Sequence, residues 1–460
     1  MKSSNKKFAA FAAAWLAMSF SVPALATNGY FTHGVGTESK GMAGAGIGSD
    51  NARGSIVGAS NPALAAFADD SWEVGLALFS PRRSYKAGSS FANGQMGAFT
   101  VGAGSYDSGS EWFPIPYVAK NFRLAGGNVL NLVFYGRGGM NTDWDDSGAT
   151  ATSMACDPTG QAVVSGPGPF CGGPAGVDLS QAFLALNYAG KAGDDFAWGI
   201  GPVFAFQMFE AKGLAAFTPF TKTFAESYVL TGMPAPADAL SDNGHDTSTG
   251  FGLAGGLWWG ISDTVSLGIA YQSKMSMSEF KDYADLFAGA GAFDIPASAK
   301  LGLSFGRGSG VRVNLDVEHT QYSDIDSVGN PMANIAACPT AGLGGTDLES
   351  CLGGKNGAGF GWDDMTTYKL GIEWLVDEST TWRFGYSYGK QPIQESDVLF
   401  NVLAPGVMEQ HVTFGLTKAN WNFSLMFAPS NSVEGQNMFD PTQLIELKMS
   451  QFEFEASYAF

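Results

Sequence analysis

The sequence predicts an all-β fold, a transmembrane antiparallel up-and-down β-barrel of 14 strands with an N-terminal hatch inside the lumen, and three observations predict it. The chain ends on Gln451-Phe452-Glu453-Phe454-Glu455-Ala456-Ser457-Tyr458-Ala459-Phe460, where Phe452, Phe454, Ala456, Tyr458 and Phe460 alternate with wetter residues. That period of two gives a strand with one greasy and one polar face, suited to lipid on one side and a lumen on the other. Comparable alternating segments recur through the chain. The connections between them are in turn short and long, as periplasmic turns and extracellular loops require.

Taken in order, residues 1–26 read as a secretory signal. Lys2, Lys6 and Lys7 give a basic start, Phe8 to Val22 an apolar stretch, and Ala24-Leu25-Ala26 a small-residue cleavage site. A chain beginning at Thr27 keeps 22 basic against 43 acidic residues, a net charge of −21. Phosphates are repelled by such a surface, so no nucleic acid is expected as a partner. After the signal no segment reaches the roughly 20 mainly apolar residues of a spanning helix, which excludes a helical membrane protein.

Residues 27–66 are small and polar without sustained alternation, so they are not wall material. Gly41, Gly44, Gly46 and Gly48 follow closely, but no strand precedes them and no G-K-[ST] follows, so a phosphate loop is rejected in favour of a compact hatch or plug. Residues 67–460 form the barrel. Its strands are read at 71–85, 113–123, 128–138, 178–189, 196–209, 250–261, 264–274, 296–306, 311–322, 366–376, 381–389, 409–417, 421–428 and 451–460. The pattern is cleanest in Val311 to Glu318, where four apolar residues alternate with four polar ones. Connections after even-numbered strands are short and those after odd-numbered strands long, the one after strand 13 included.

Cys156 and Cys171, and Cys338 and Cys351, form two local couples in Gly-rich stretches, without metal-ligand spacing and without a neighbouring His. Of the three possible connectivities, Cys156–Cys171 with Cys338–Cys351 is the simplest, stapling two loops in an oxidising compartment.

The Gly41-Met42-Ala43-Gly44-Ala45-Gly46 run leads into Asn61-Pro62-Ala63. With the strand series and Trp382-Arg383-Phe384-Gly385-Tyr386, it resembles the FadL family of outer-membrane transporters for long-chain fatty acids and aromatic hydrocarbons. The resemblance spans the chain after the signal, and the hatch with Asn61, Pro62 and Ala63 is its most specific part. It implies passive uptake of hydrophobic compounds across the outer membrane of a Gram-negative bacterium. It also implies a ligand groove between the third and fourth extracellular loops, and exit at a kinked third strand.

The residues offer counterparts. Loop 3, Ala211 to Thr249, carries Leu214, Phe217, Phe220, Phe224, Tyr228, Val229 and Leu230; loop 4, Met275 to Ile295, carries Phe280, Tyr283, Leu286, Phe287 and Phe293 at helix-like spacing. Both are unusually apolar for exposed loops, although the same rings would also serve to pack loop on loop. In Tyr135-Gly136-Arg137-Gly138-Gly139, Gly136 and Gly138 permit a kink or bulge. Parity places Arg312, Lys369 and Arg383 in the lumen, where each either holds a carboxylate ligand or pairs with Asp316, Glu318 or Glu373.

No cofactor and no metal site is expected. Asp143-Trp144-Asp145-Asp146-Ser147-Gly148 begins like a calcium loop, but Met154 stands where the bidentate Glu belongs. His33, His245 and His411 share no local pattern. His319 with Ser323 four residues on suggests a lipid-modifying enzyme only weakly, because no acidic orienter is defined. A general diffusion porin is the other alternative, but it gives residues 27–66 no role except as a plug. The expected partners are a hydrophobic small molecule, outer-membrane lipid and lipopolysaccharide, around a monomer.

Overall fold

A computed structural model describes residues 28–145, 147–157 and 160–460. The signal segment 1–26 and Thr27 lie outside the described residues. Fourteen strands form the wall: β1 Trp72–Ala87, β2 Phe113–Arg123, β3 Val129–Asp143, β4 Gly176–Lys191, β5 Phe196–Lys212, β6 Asp246–Gly260 and β7 Val265–Gln272. Then come β8 Ser298–Phe305, β9 Val311–Thr320, β10 Met365–Asp377, β11 Thr380–Gly389, β12 Gln410–Lys418, β13 Trp421–Asn437 and β14 Asp440–Ala459. Each pairs antiparallel with its sequence neighbours, and β14 closes on β1 from Glu73↔Ala459 to Ala87↔Ile445. Closure leaves the wall without an edge, so its backbone groups are satisfied by neighbours in hydrocarbon.

The period-two code sets the faces. Along β14, Phe452 and Phe454 point outward and are exposed, while Gln451, Glu453, Glu455 and Ser457 are buried in the lumen. Leu315 and Val317 of β9 face outward between inward Asn314, Asp316 and Glu318.

One loop expectation is overturned. The connection from β13 to β14 is a turn at Met438–Phe439, not a long loop, and both strands continue to it through residues read as loop. The alternation survives there as Val433, Ile445, Leu447 and Met449, all buried, but a shift in pairing between Ala428 and Asn431 interrupts the regular pattern. The upper part of this hairpin meets loop 1, where Asn437 donates to the Phe99 carbonyl at 2.8 Å. A second small sheet, of 100–101, 150–153 and 164–167, ties loops 1 and 2 together.

Residues 28–67 run against the inward faces of the strands and are mostly buried. Asn61 caps the turn Pro62–Ala66, accepting from the Ala63 amide at 3.0 Å and donating to the carbonyls of Ile47 at 3.0 Å and Leu257 at 3.3 Å. A ladder of asparagines across β2, β3 and β4 grips the same segment. Asn131 donates to Asn121 at 2.6 Å and to the Ser55 carbonyl at 2.7 Å, while Asn187 donates to Asn131 at 3.0 Å and to the Gly58 carbonyl at 3.2 Å. Short amides reach the segment's backbone without filling the lumen, and pairing them avoids the penalty of buried unsatisfied groups.

Glycine provides the remaining room. A Cβ at Gly385 would lie 2.2 Å from the Met42 carbonyl carbon, and one at Gly268 2.0 Å from the Ile47 oxygen. The backbone of the segment therefore lies directly on the wall.

Candidate functional site

Loops 2 to 6 converge on an apolar cavity of about 40 Å³. Leu214, Phe217, Leu286 and Phe287, all singled out from sequence, line it with Phe170, Phe209, Phe360 and Phe400. Tyr283 and Phe293 adjoin it. The Tyr283 ring stands edge-on to Phe209 at 4.8 Å, and Phe293 lies 4.9 Å from Phe287. The other groove candidates lie apart: Phe220 stacks on Phe439 at 5.7 Å, and Phe224 stacks on Tyr228 at 6.5 Å along the loop-3 helix Lys222–Thr231. Tyr228 and Leu230 are exposed, Leu230 at 73%. Loop 4 is not the helix its spacing suggests, because Gly289 and Ala290 take left-handed conformations and break it into single turns.

Both cysteine couples are bonded, with Cα atoms 5.4 Å apart for Cys156–Cys171 and 4.8 Å for Cys338–Cys351. The second packs on Ala225 of the loop-3 helix. The Leu352 carbonyl accepts from Lys222 at 2.8 Å, which fixes loop 5 to loop 3.

From the cavity a chain of rings leads down to the wall. Phe209 to Phe287 is 4.7 Å, Phe287 to Phe293 is 4.9 Å, Phe293 to Tyr30 is 6.2 Å and Tyr30 to Phe31 is 4.8 Å. Tyr322 and Trp362 complete the cage around Tyr30. Phe31 then meets the wall at Gly138.

At that point the barrel is irregular. The β2–β3 ladder runs up only to Tyr117↔Tyr135. Above it β3 stays paired with β4, but with an extra residue, Arg137, between Gly136 and Gly138. The place of β2 is taken by the N-terminal segment: Thr32 donates to the Arg137 carbonyl at 2.8 Å and Gly139 to the Tyr30 carbonyl at 3.0 Å. Gly136 and Gly138 supply room rather than unusual backbone angles. A Cβ on Gly138 would lie 2.0 Å from the Gln181 side-chain oxygen and 3.2 Å from the Phe31 ring.

The three lumenal cations nominated by parity are all paired. Lys369 holds Glu318 at 2.7 Å and the His33 carbonyl at 2.8 Å, and Arg383 holds Glu373 at 3.1 Å and Glu38 at 3.6 Å. Arg312 bonds not to a wall carboxylate but to Asp50 of the N-terminal segment. Sequence reasoning missed Arg137 and Lys300, which join Lys369 around the single carboxylate of Glu318 at 3.0 and 3.2 Å. The same parity rule, applied to every strand, finds both. Arg137 also lies over the Phe31 ring, 4.3 Å from its centroid.

His319 and Ser323 are gathered with Asp364, but in an order that does not build a nucleophile. The Ser323 hydroxyl donates to Asp364 at 2.8 Å, while the nearest hydroxyl to His319 belongs to Thr366 at 2.9 Å. The base is therefore not on the serine.

Comparison with known proteins follows this geometry. A sequence model of the outer membrane protein transport protein family (OMPP1/FadL/TodX) matches residues 16–417. No curated protein sequence matches significantly. The Pseudomonas putida toluene transporter TodX aligns with a TM-score of 0.58 at 15% identity, covering 93% of this chain and 98% of its own. A Pseudomonas aeruginosa FadL homologue aligns at 0.57 and 15% identity, covering 94% and 99%. The Ralstonia pickettii toluene transporter TbuX aligns at 0.51 and 14% identity, covering 93% and 99%. These likenesses are of fold, and the family match extends over most of the chain: the protein belongs to the OMPP1/FadL/TodX family of outer-membrane channels for hydrophobic compounds in Gram-negative bacteria.

Proposed function

We propose that this chain, as a single barrel surrounded by outer-membrane lipid and lipopolysaccharide, captures hydrophobic molecules in the cavity beneath its loops and releases them sideways through the wall. Residues 27–66 act as the hatch that closes the lumen. The observation that carries this reading is the interrupted β2–β3 ladder, completed by Asn28 to Thr32 and reached from the cavity by a chain of rings. A molecule passing along those rings stays in apolar contact throughout, which the hydrophobic effect favours at about 25 cal/mol per Å². It meets the wall where inter-strand hydrogen bonds are replaced by the hatch. The floor, by contrast, is held by ion pairs and amide ladders, which supports a selective channel over a diffusion porin. A monoaromatic hydrocarbon, as TodX and TbuX are named for, and a long-chain fatty acid both fit the apolar path.

The test is a lock. Phe31→Cys with Gly138→Cys, facing each other across an antiparallel bridge, allows a disulfide to hold the segment in the break. Uptake of radiolabelled hexadecanoate and of toluene by cells lacking other transporters is expected to stop on oxidation and return on reduction. Uptake unaffected by an oxidised lock refutes lateral release.

A further inference from the structure

Four arginines are buried, and three of them have carboxylate partners: Arg137 with Glu318, Arg312 with Asp50 and Arg383 with Glu373. The fourth is Arg83. It points inward from β1 on the same face as Phe79 and Tyr85, opposite Met449 of β14. It is 4% exposed, and both terminal nitrogens lack a hydrogen-bond partner among the described residues. Its nearest recorded neighbour is the face of Phe113, 5.8 Å from the guanidinium carbon.

The surroundings are apolar. Phe79, Tyr85, Phe113 and Met449 belong to the same continuous cluster as Phe217 and Phe287 of the loop cavity. An arginine cannot shed its charge to suit such a site. A buried charge without an anion is disfavoured, and the other buried arginines are each compensated. A guanidinium fork also matches a carboxylate in two parallel hydrogen bonds.

We propose that Arg83 is the docking point for the carboxylate of an amphiphile whose hydrocarbon chain lies in the apolar cluster. The inference rests on the uptake reading and narrows its substrate class to hydrophobic acids over neutral hydrocarbons. Elsewhere in the lumen, Arg137, Lys300 and Lys369 share only Glu318 as a direct ion-pair partner, so a carboxylate that leaves Arg83 has a further cation-rich station available.

The experiment compares hexadecanoate with its methyl ester, in binding to the purified full chain and in uptake by cells. The wild type is expected to bind the acid at least about tenfold more tightly than the ester, the worth of a charge-assisted bond. Arg83→Met lowers the affinity for the acid to that for the ester and leaves the ester unchanged; Arg83→Lys keeps part of the preference. Because Arg83 has no protein partner to lose, Arg83→Met folds with a melting midpoint equal to or above that of the wild type. An Arg83→Met barrel that fails to fold, or that retains the preference for acid, overturns the proposal. So does an equal loss of both ligands. Equal handling of acid and ester by the wild type refutes the inference while uptake stands, whereas uptake of neither ligand removes both readings.

Discussion

Lys40 is the strongest single tie between the N-terminal segment and the wall, and its removal gives a quantitative test of the hatch. Its ammonium sits 3.0 Å from Glu453 and 2.6 Å from Glu455, with all three side chains at most 4% exposed. Lys40→Met leaves two carboxylates on one face of β14, with Thr37 still donating to Glu455 at 2.8 Å. Breaking a buried ion pair in this way costs about 3–5 kcal/mol, because the abandoned charges stay desolvated. At about 1.4 kcal/mol per factor of ten, the released state of the segment becomes roughly 10²- to 10³-fold more populated. Single-channel recording in a planar bilayer reads this directly. The wild type should be almost silent, Lys40→Met should show bursts of open current, and the triple variant with Glu453→Gln and Glu455→Gln should close again, since neutral amides need no counter-charge. A folded Lys40→Met barrel as silent as the wild type refutes the role of this tie, and a triple variant more open than the single one refutes the electrostatic reasoning.

Deleting residues 31–60 should leave a barrel with steady conductance and no selective uptake; unchanged conductance contradicts the plug assignment. Replacing Asn131 by Leu removes the donations to Asn121 and Ser55 and the acceptor for Asn187, and should lower unfolding stability in detergent by about 2–4 kcal/mol, measured by denaturant titration. The pair Phe217→Ser and Phe287→Ser opens the cavity lining to water, and each buried ring is worth about 1.5–3 kcal/mol, so uptake at low substrate concentration should fall at least about tenfold. In loop 6, burial raises the Asp397 carboxyl above its ordinary value although it accepts from the Met332 amide at 2.6 Å. The unfolded chain ionises first, so stability declines as pH rises through the folded value. Asp397→Asn keeps an acceptor and should melt at or above the wild-type temperature at pH 7, the gap closing below about pH 4.

The wall was legible because lipid and lumen impose a strict period of two, and Val311 to Glu318 or Gln451 to Phe460 can satisfy both only as strands. The loop-cavity rings were legible for a related reason: Phe217 and Phe287 have no business in water unless something covers them. Partners were not legible. Parity put Lys369, Arg383 and Arg312 inside, but which carboxylate each meets depends on strand register and on the path of a segment without periodicity. Asp50, the partner of Arg312, lies in that segment. Tyr228 and Leu230 show the opposite failure, since composition cannot tell the buried side of a short helix from its exposed side. The β13–β14 extension was missed because the shift at Ala428 to Asn431 breaks the alternation that marks a strand.

Two kinds of packing divide the lumen, and on the uptake reading their difference sets the direction of travel. In the floor, segment backbone lies on wall glycines, and cavities there measure about 40 and 20 Å³. A solute moving axially would have to part amide ladders and ion pairs, leaving buried polar groups unsatisfied at about 1–3 kcal/mol each. Toward β3 the contacts are rings, whose separation costs only dispersion and apolar area that an incoming hydrocarbon replaces in kind. Beyond Gly138 lies hydrocarbon, where the solute needs no rehydration. The exchange that releases it breaks the two backbone bonds made by Thr32 and Gly139. Those bonds lie at the end of the segment, farthest in sequence from the Asn61 anchor, so they can open while the floor stays shut.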